Sequence, residues 1–558
     1  MKRNTLTTAV LAGLTGMAGM VSVSNAVNVN PDGLGQVLMF PYYTARGGND
    51  TLISIVNTTE RGKAVKIRIL EALNSREVLD FNIYMSEWDV WTGAITAASD
   101  GGGKLLTSDT TCTAPRIFAP SAGIGTDVNG DGVPDFGEID FLPFQYTLGN
   151  TDFGPQGEER NASGHIEFIE MGTFLPTPAS AAAGTEPYVA WSAKHVGPAG
   201  AREPNRCATF TELWAPANPG AVWRLGDSNF GFEPVGDDTL ATGGLFGAAS
   251  IINVAEGTMF SYNATAVDAF WSTNPLAGGA LHTNPASLLP SLANGTNRTS
   301  NVFVNGVVQT NTWPGTVPVA PINATVMFET LMNEYNIEAG LGGRSEWVLT
   351  YPTKRFHTDA QGPVGTVVPN SPIPPFTNTW HRTSSGALNL PCEALSFRVW
   401  DREETEPTPD IGEVIPSPPP PTDAPQVFEL CRETNVVRFT LDGDLPAETE
   451  ILKEPIREGA FERLSYANFQ LPDAFQAGWV RFDLTDVPTG AIIAPGANDP
   501  RRTTPADNGD QFEGMPVIGF WVNTFTNGAL PGGTLANYGG SFDHHGSRSI
   551  VLGSVVIP

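Results

Sequence analysis

The chain has 558 residues, 41% of them apolar, which is enough to bury large cores and excludes a disordered protein. Its 59 acidic against 31 basic residues leave a formal charge of -28, a field that repels nucleic acid and anionic membrane surfaces and favours cations.

Residues 1–26 read as a secretory leader. Lys2 and Arg3 precede a mostly apolar, acid-free run from Ala9 to Val23 that ends at Ser24-Asn25-Ala26, a small-x-small cleavage site. No other apolar run approaches the roughly 20 residues that cross a bilayer, so no transmembrane segment is expected in the mature chain. Export places the protein at the cell surface, outside the cell or in the periplasm.

Residues 27–110 read as an N-terminal antiparallel β-sandwich. Gln36 to Tyr43, Thr51 to Asn57, Ala64 to Ala72, Asp80 to Met85 and Asp89 to Thr96 are short apolar runs separated by turn-forming residues, the pattern of two facing sheets. In Ala64 to Ala72 the alternation is regular. Val65, Ile67 and Ile69 are expected on a buried face, and Lys66 and Arg68 on an exposed one.

Residues 111–150 form a loop region around DVNGDGVPDFGE, Asp127 to Glu138, which has the spacing of a calcium loop. Asp127, Asn129 and Asp131 stand at positions one, three and five, Gly132 at six, Val133 at seven through its carbonyl, Asp135 at nine and Glu138 at twelve. Calcium is a hard ion that takes six to eight oxygens, and a short segment delivers them only by curling on itself with a glycine at the bend. The flanks depart from an EF-hand, since Pro120 and Gly123 precede the loop, Pro143 follows it and Pro134 stands where paired loops carry an apolar residue. The expectation is an isolated extracellular loop braced by calcium.

Residues 151–390 are expected to be β-rich and irregular, with strands at His165 to Met171, Ala248 to Tyr262 and Trp347 to Tyr351. One helix is expected near 324–338, where Met327, Leu331 and Tyr335 recur at four-residue spacing. His165 and Glu167 point to one side of their strand, read as a wet face because a metal site there lacks a third ligand.

Residues 391–558 carry further strands at Leu395 to Trp400, Val436 to Leu441 and Trp479 to Leu484, interrupted by an acidic, proline-rich loop, 402–425. Asp543-His544-His545 is read as a surface loop, because adjacent side chains rarely aim at one point. The fold class expected for the whole chain is mainly β, a sandwich followed by a larger irregular β-rich region with few helices.

Cys112, Cys207, Cys392 and Cys431 allow three pairings in an oxidising compartment. Chain order and context favour Cys112 with Cys207 and Cys392 with Cys431, the second stapling the base of the proline-rich loop.

Gly35 to Ile95, opening GQVLMFPYYTARGG, resembles the N-terminal region of a group of uncharacterised secreted proteins of Gram-negative bacteria. Gly514 to Arg548, opening GMPVIGFWVNTF, is similar to their C-terminal region. The resemblance implies export and brings no activity or site residue with it. A looser likeness in composition is to surface-layer and other cell-surface proteins.

These readings lead to an exported, calcium-braced structural protein of the cell surface, with no catalytic residue assigned. Its expected partners are copies of itself or other cell-envelope components. Two other classes stay open: a secreted hydrolase with an unrecognised carboxylate site, and an extracellular protein that binds a carbohydrate or apolar ligand through some of the 12 Trp.

Overall fold

In the computed structural model, 46% of the described residues lie in strands and 10% in helices, so the cores form between sheets. The structure describes residues 26–175, 189–199, 202–214, 223, 234–235, 238–359, 371–406, 428–441, 446–455, 467–487, 500–530 and 534–553. Residues 1–25 of the leader and 407–425 of the proline-rich loop lie outside the described residues.

Two sheets face each other in the N-terminal part. The seven-stranded sheet runs Asn28–Val29, Thr265–Asp268, Val37–Thr44, Ser163–Thr173, Lys63–Glu71, Glu77–Met85, Cys112–Ala114. The six-stranded sheet runs Thr258–Asn263, Leu245–Asn253, Asn49–Asn57, Val90–Ala97, Gly103–Thr107, Gly137–Asp140. The sandwich therefore extends beyond 27–110, because long connections bring strands from as far as residue 268 back into it. Phe40, Val65, Ile67 and Phe168 meet Ile53, Ile55, Trp91 and Ile251 between the sheets. Burying each such side chain is worth about 1.5–3 kcal/mol.

The two sheets differ on their outer faces. In Asn49–Asn57 every second residue is buried and Leu52 is 42% exposed, the pattern of one wet face. In Lys63–Glu71 every residue is buried, including Lys66 and Arg68, which corrects the expectation that these two face water. Their charges are paired across the sheet, Lys66 with Asp80 at 2.7 Å and Arg68 with Glu77 at 2.8 Å and Glu167 at 2.5 Å. Later parts of the chain lie over them. Lys66 Nζ also donates to the Asn284 carbonyl, Arg355 to that of Ser75, and the Glu433 amide to that of Ala72.

Two more sheets follow. A middle sheet runs Ala467–Gln470, Thr434–Thr440, Arg344–Thr350, Ile518–Leu530, Thr534–Asp543, antiparallel except for its first pair. An outer sheet runs Phe428–Leu430, Glu393–Asp401, Ala477–Asp483, Thr330–Asn336, His545–Ser547. The middle sheet serves two cores, because its side chains alternate between faces. Val348, Val436, Phe520 and Val522 pack into the core of the N-terminal sandwich, where Tyr262 and Phe520 stack at 4.5 Å. Trp347, Leu349, Val437 and Phe439 pack instead against Leu331, Val399, Val480 and Phe482 of the outer sheet.

The helix expected near 324–338 is not formed. A short helix ends at Thr325, and Thr330–Asn336 is a central strand of the outer sheet. Leu331 and Tyr335 do share a face, since a spacing of four fits a period of two as well as one of 3.6. The polar residue between them, Asn333, also turns inward and hid the alternation. Its amide donates to the carbonyl of Asp543 at 3.1 Å and lies 3.0 Å from His544 Nδ1.

Candidate functional site

The Asp127 to Glu138 segment leaves the six-stranded sheet at the edge strand Gly137–Asp140. Its base is closed by an antiparallel bridge between Thr126 and Phe136, with the Asp135 amide donating to the Thr126 carbonyl at 2.8 Å. Gly130 and Gly132 have φ of 77° and 88°, a left-handed conformation that lets the chain curl.

Each side chain at an early ligand position is fixed by the backbone of the loop itself. Asp127 accepts from the amides of Gly130 at 2.7 Å and Gly132 at 2.8 Å. Asn129 Oδ1 accepts from Asp131, and Asp131 from Val133, each at 2.8 Å. Asp135 accepts from the Val128 amide at 2.8 Å and from the Asn129 side chain at 3.2 Å. These bonds hold the carboxylates on the loop while leaving them exposed.

Glu138 stands apart. It lies on the edge strand, where Lys104 Nζ reaches it at 2.9 Å and holds its carboxyl below the usual range. Its other oxygen accepts from Thr126 at 3.3 Å. No three of the acids Asp127, Asp131, Asp135 and Glu138 bring ligand atoms within 4.8 Å of one another. Repulsion among four like charges opposes closer approach until a cation compensates it. Asp135 and Phe136 also border an open groove of about 540 Å³ on the outer face of the six-stranded sheet, beside Leu52, Ser54, Thr92 and Ser250.

His165 and Glu167, read as a wet strand face, are each 1% exposed. They belong to a layer of polar and charged side chains enclosed between the seven-stranded sheet and the segments that cover it. Arg160 joins Glu71 at 2.9 Å and Asp152 at 2.6 Å, and Arg76 joins Asp359 at 2.6 Å. Burial raises the Glu77 carboxyl to about 7 and that of Glu433 to about 8, and it lowers His165 to about 3. Paired charges at this depth hold segments in register.

Both expected disulfides are formed. Cys112 joins Cys207 with Cα atoms 5.0 Å apart, and Cys392 joins Cys431 at 3.7 Å. The second staples the point where Glu393–Asp401 and Phe428–Leu430 pair, so the proline-rich segment leaves and re-enters one sheet. Cys392, Glu429 and Cys431 are the one group of three His, Cys, Asp or Glu residues among the described residues with ligand atoms within 4.8 Å. Both sulfurs are already bonded to each other, so the group offers a metal no thiolate. Asp543-His544-His545 is not a surface loop. Asp543 ends one strand, His545 begins another, and His544 between them lies 2.9 Å from the Val348 carbonyl through Nε2.

The aromatic residues on the outer sheet, Trp400 and Trp479, were not singled out in sequence. The available signal was a Trp at an outward position of an alternating strand, Trp479-Val480-Arg481-Phe482. No family model, curated protein or solved structure matches the chain.

Proposed function

We propose that the chain is an exported β protein of the cell surface or extracellular space, braced by calcium, which acts through its surfaces. The observation that carries this reading is the loop at 127–138, where Asp127, Asn129, Asp131 and Asp135 are each oriented by a hydrogen bond within a short curled segment. Calcium would draw these oxygens and the Val133 carbonyl together, and Glu138 would exchange Lys104 for the ion.

Three further features support it. The first 26 residues have the order of a secretory leader, two disulfides suit an oxidising compartment, and both ends resemble secreted proteins of Gram-negative bacteria. No helix among the described residues is long and apolar enough to cross a membrane. The buried acids Glu167, Asp359 and Glu71 are committed to ion pairs with Arg68, Arg76 and Arg160, which favours structural work over carboxylate catalysis for these three. The partners that fit are further copies of the chain or other envelope components, joined at an edge where calcium screens the acidic surface.

The test is thermal unfolding with calcium and with chelator. A loop of this kind binds at roughly 10⁻⁴ to 10⁻³ M, so millimolar calcium should raise the melting temperature of the parent. Asp127→Ala with Asp131→Ala should abolish that difference. Identical melting of the parent in calcium and in chelator refutes the brace.

A further inference from the structure

The outer sheet presents a row of side chains to solvent across three paired strands: Trp400 lies opposite Trp479, and Trp479 opposite Glu334. The two indoles are stacked, with centroids 4.1 Å apart and planes 13° from parallel. A centroid separation this close to the stacking distance places the rings face to face across the strands. The second face of Trp479 therefore looks along the sheet toward Glu334.

The platform is fixed from behind. Arg398 lies 4.8 Å over the Trp400 ring, and Glu406 binds both the Arg398 guanidinium and the Trp400 indole N–H, the latter at 2.8 Å. A ligand meeting Trp479 would not have to order it first.

In front of Trp479 the sheet edge is only partly paired. The last strand, His545–Ser547, pairs only with Thr330, Leu331 and Met332, and from Asn333 onward side chains take its place, the Trp347 indole N–H donating to the Glu334 carbonyl at 2.8 Å. A groove of about 470 Å³ lies there, within the usual size of small-molecule sites. Phe542, 53% exposed, forms the far wall together with Trp521, their rings 5.2 Å apart. Glu334 and His545 are exposed in this groove and Asn523 lies at its edge, and their side chains make no hydrogen bond within the described structure.

We infer that this groove binds a saccharide. A pyranose has a face of C–H bonds that suits an open indole, and a belt of hydroxyls that needs both donors and acceptors around it. Glu334 accepts, Asn523 does both and His545 supplies an imidazole. A quaternary ammonium ligand would also favour aromatic faces and an acid, but Arg481 beside Trp479 puts positive charge on the same face. This inference stands independently of the calcium loop, which belongs to the other sandwich.

The experiment is a glycan array probed with the labelled full chain, followed by calorimetry with the oligosaccharide hits and, in parallel, with choline chloride. A hit is expected, with affinity reduced at least tenfold by Trp479→Ala and by Glu334→Ala. Trp88→Ala, at an indole 64% exposed elsewhere, should leave binding unchanged. Glu334 and Phe542 are exposed, so Glu334→Ala and Phe542→Ala test the groove even where Trp479→Ala lowers stability, with the melting temperature as control. An array without hits, binding of choline chloride alone, or glycan binding that survives both Glu334→Ala and Phe542→Ala would overturn the inference.

Discussion

Arg76 and Asp359 stand 283 residues apart in sequence and meet at 2.6 Å, with side chains 5% and 0% exposed. The pair joins the turn after the Lys63–Glu71 strand to a segment that lies over the sheet, so it reports on closure of the chain around its first sandwich. Removing one member of a buried pair costs about 3–5 kcal/mol where the other charge is stranded, and less here, because Arg76 keeps Asp152 at 3.7 Å. Asp359→Asn should therefore lower stability by less than that amount in denaturant titrations. Arg76→Met and Asp359→Asn together should cost clearly less than the sum of the two single changes, and additive losses would show that the contact is incidental.

Acid should weaken the fold through its buried imidazoles. Burial lowers His165 and His282 to about 3 and His357 to about 4, all below the usual 6.5. A depressed folded-state value means that the stabilisation is fully present above about pH 6.5 and is lost as pH falls toward 4 and 3. The melting temperature should therefore fall between pH 6.5 and 3.5. His357→Gln, which cannot titrate, should make that decline shallower, and an unchanged slope in the variant would remove His357 from the account.

The buried Glu346 acts in the opposite sense. Burial raises its carboxyl to about 7, with Glu450 adding to the effect, while it accepts from the amides of Ile451 at 2.8 Å and Leu452 at 3.0 Å. Its raised value gives stability that is full below the ordinary carboxyl range, near pH 4.5, and lost as pH rises through about 7. Glu346→Gln keeps the shape without the charge. The variant should match the parent near pH 5 and melt higher at pH 8.5, and a lower melting point at pH 8.5 would contradict the assignment.

Features set by neighbouring residues were legible in the sequence. The strands of the first sandwich follow from short apolar runs, and the two disulfides from cysteine order. What covers a strand is not local information. Lys66 and Arg68 alternate with Val65, Ile67 and Ile69 as they would beside water, and their burial depends on residues such as Asn284, 218 positions away. A hint was present at the facing positions, where the acids Asp80 and Glu167 flank Arg68 on either side and the polar Asn82 lies opposite Lys66. The helix near 324–338 failed for a different reason, since Leu331 and Tyr335 satisfy two periodicities and Asn333 broke the one that applied. The candidate ligand positions at 127–138 could be read because they lie in one short segment, whereas the groove at Trp479 draws on five strands.

The middle sheet has one face in each of two cores, and that has a consequence for how the chain comes to be folded. Its strand Ile518–Leu530 supplies Phe520 and Val522 to the core that Leu38 and Phe40 begin, so the earliest hydrophobic side chains wait for some of the last before their burial is complete. Contacts of such sequence separation form slowly. Synthesis from the N-terminus therefore gives no finished half that can close by itself, and the emerging polypeptide stays open until nearly all of it has been made. Fragments ending before residue 518 should be insoluble or captured by chaperones, and the full chain should lose its structure in a single cooperative step.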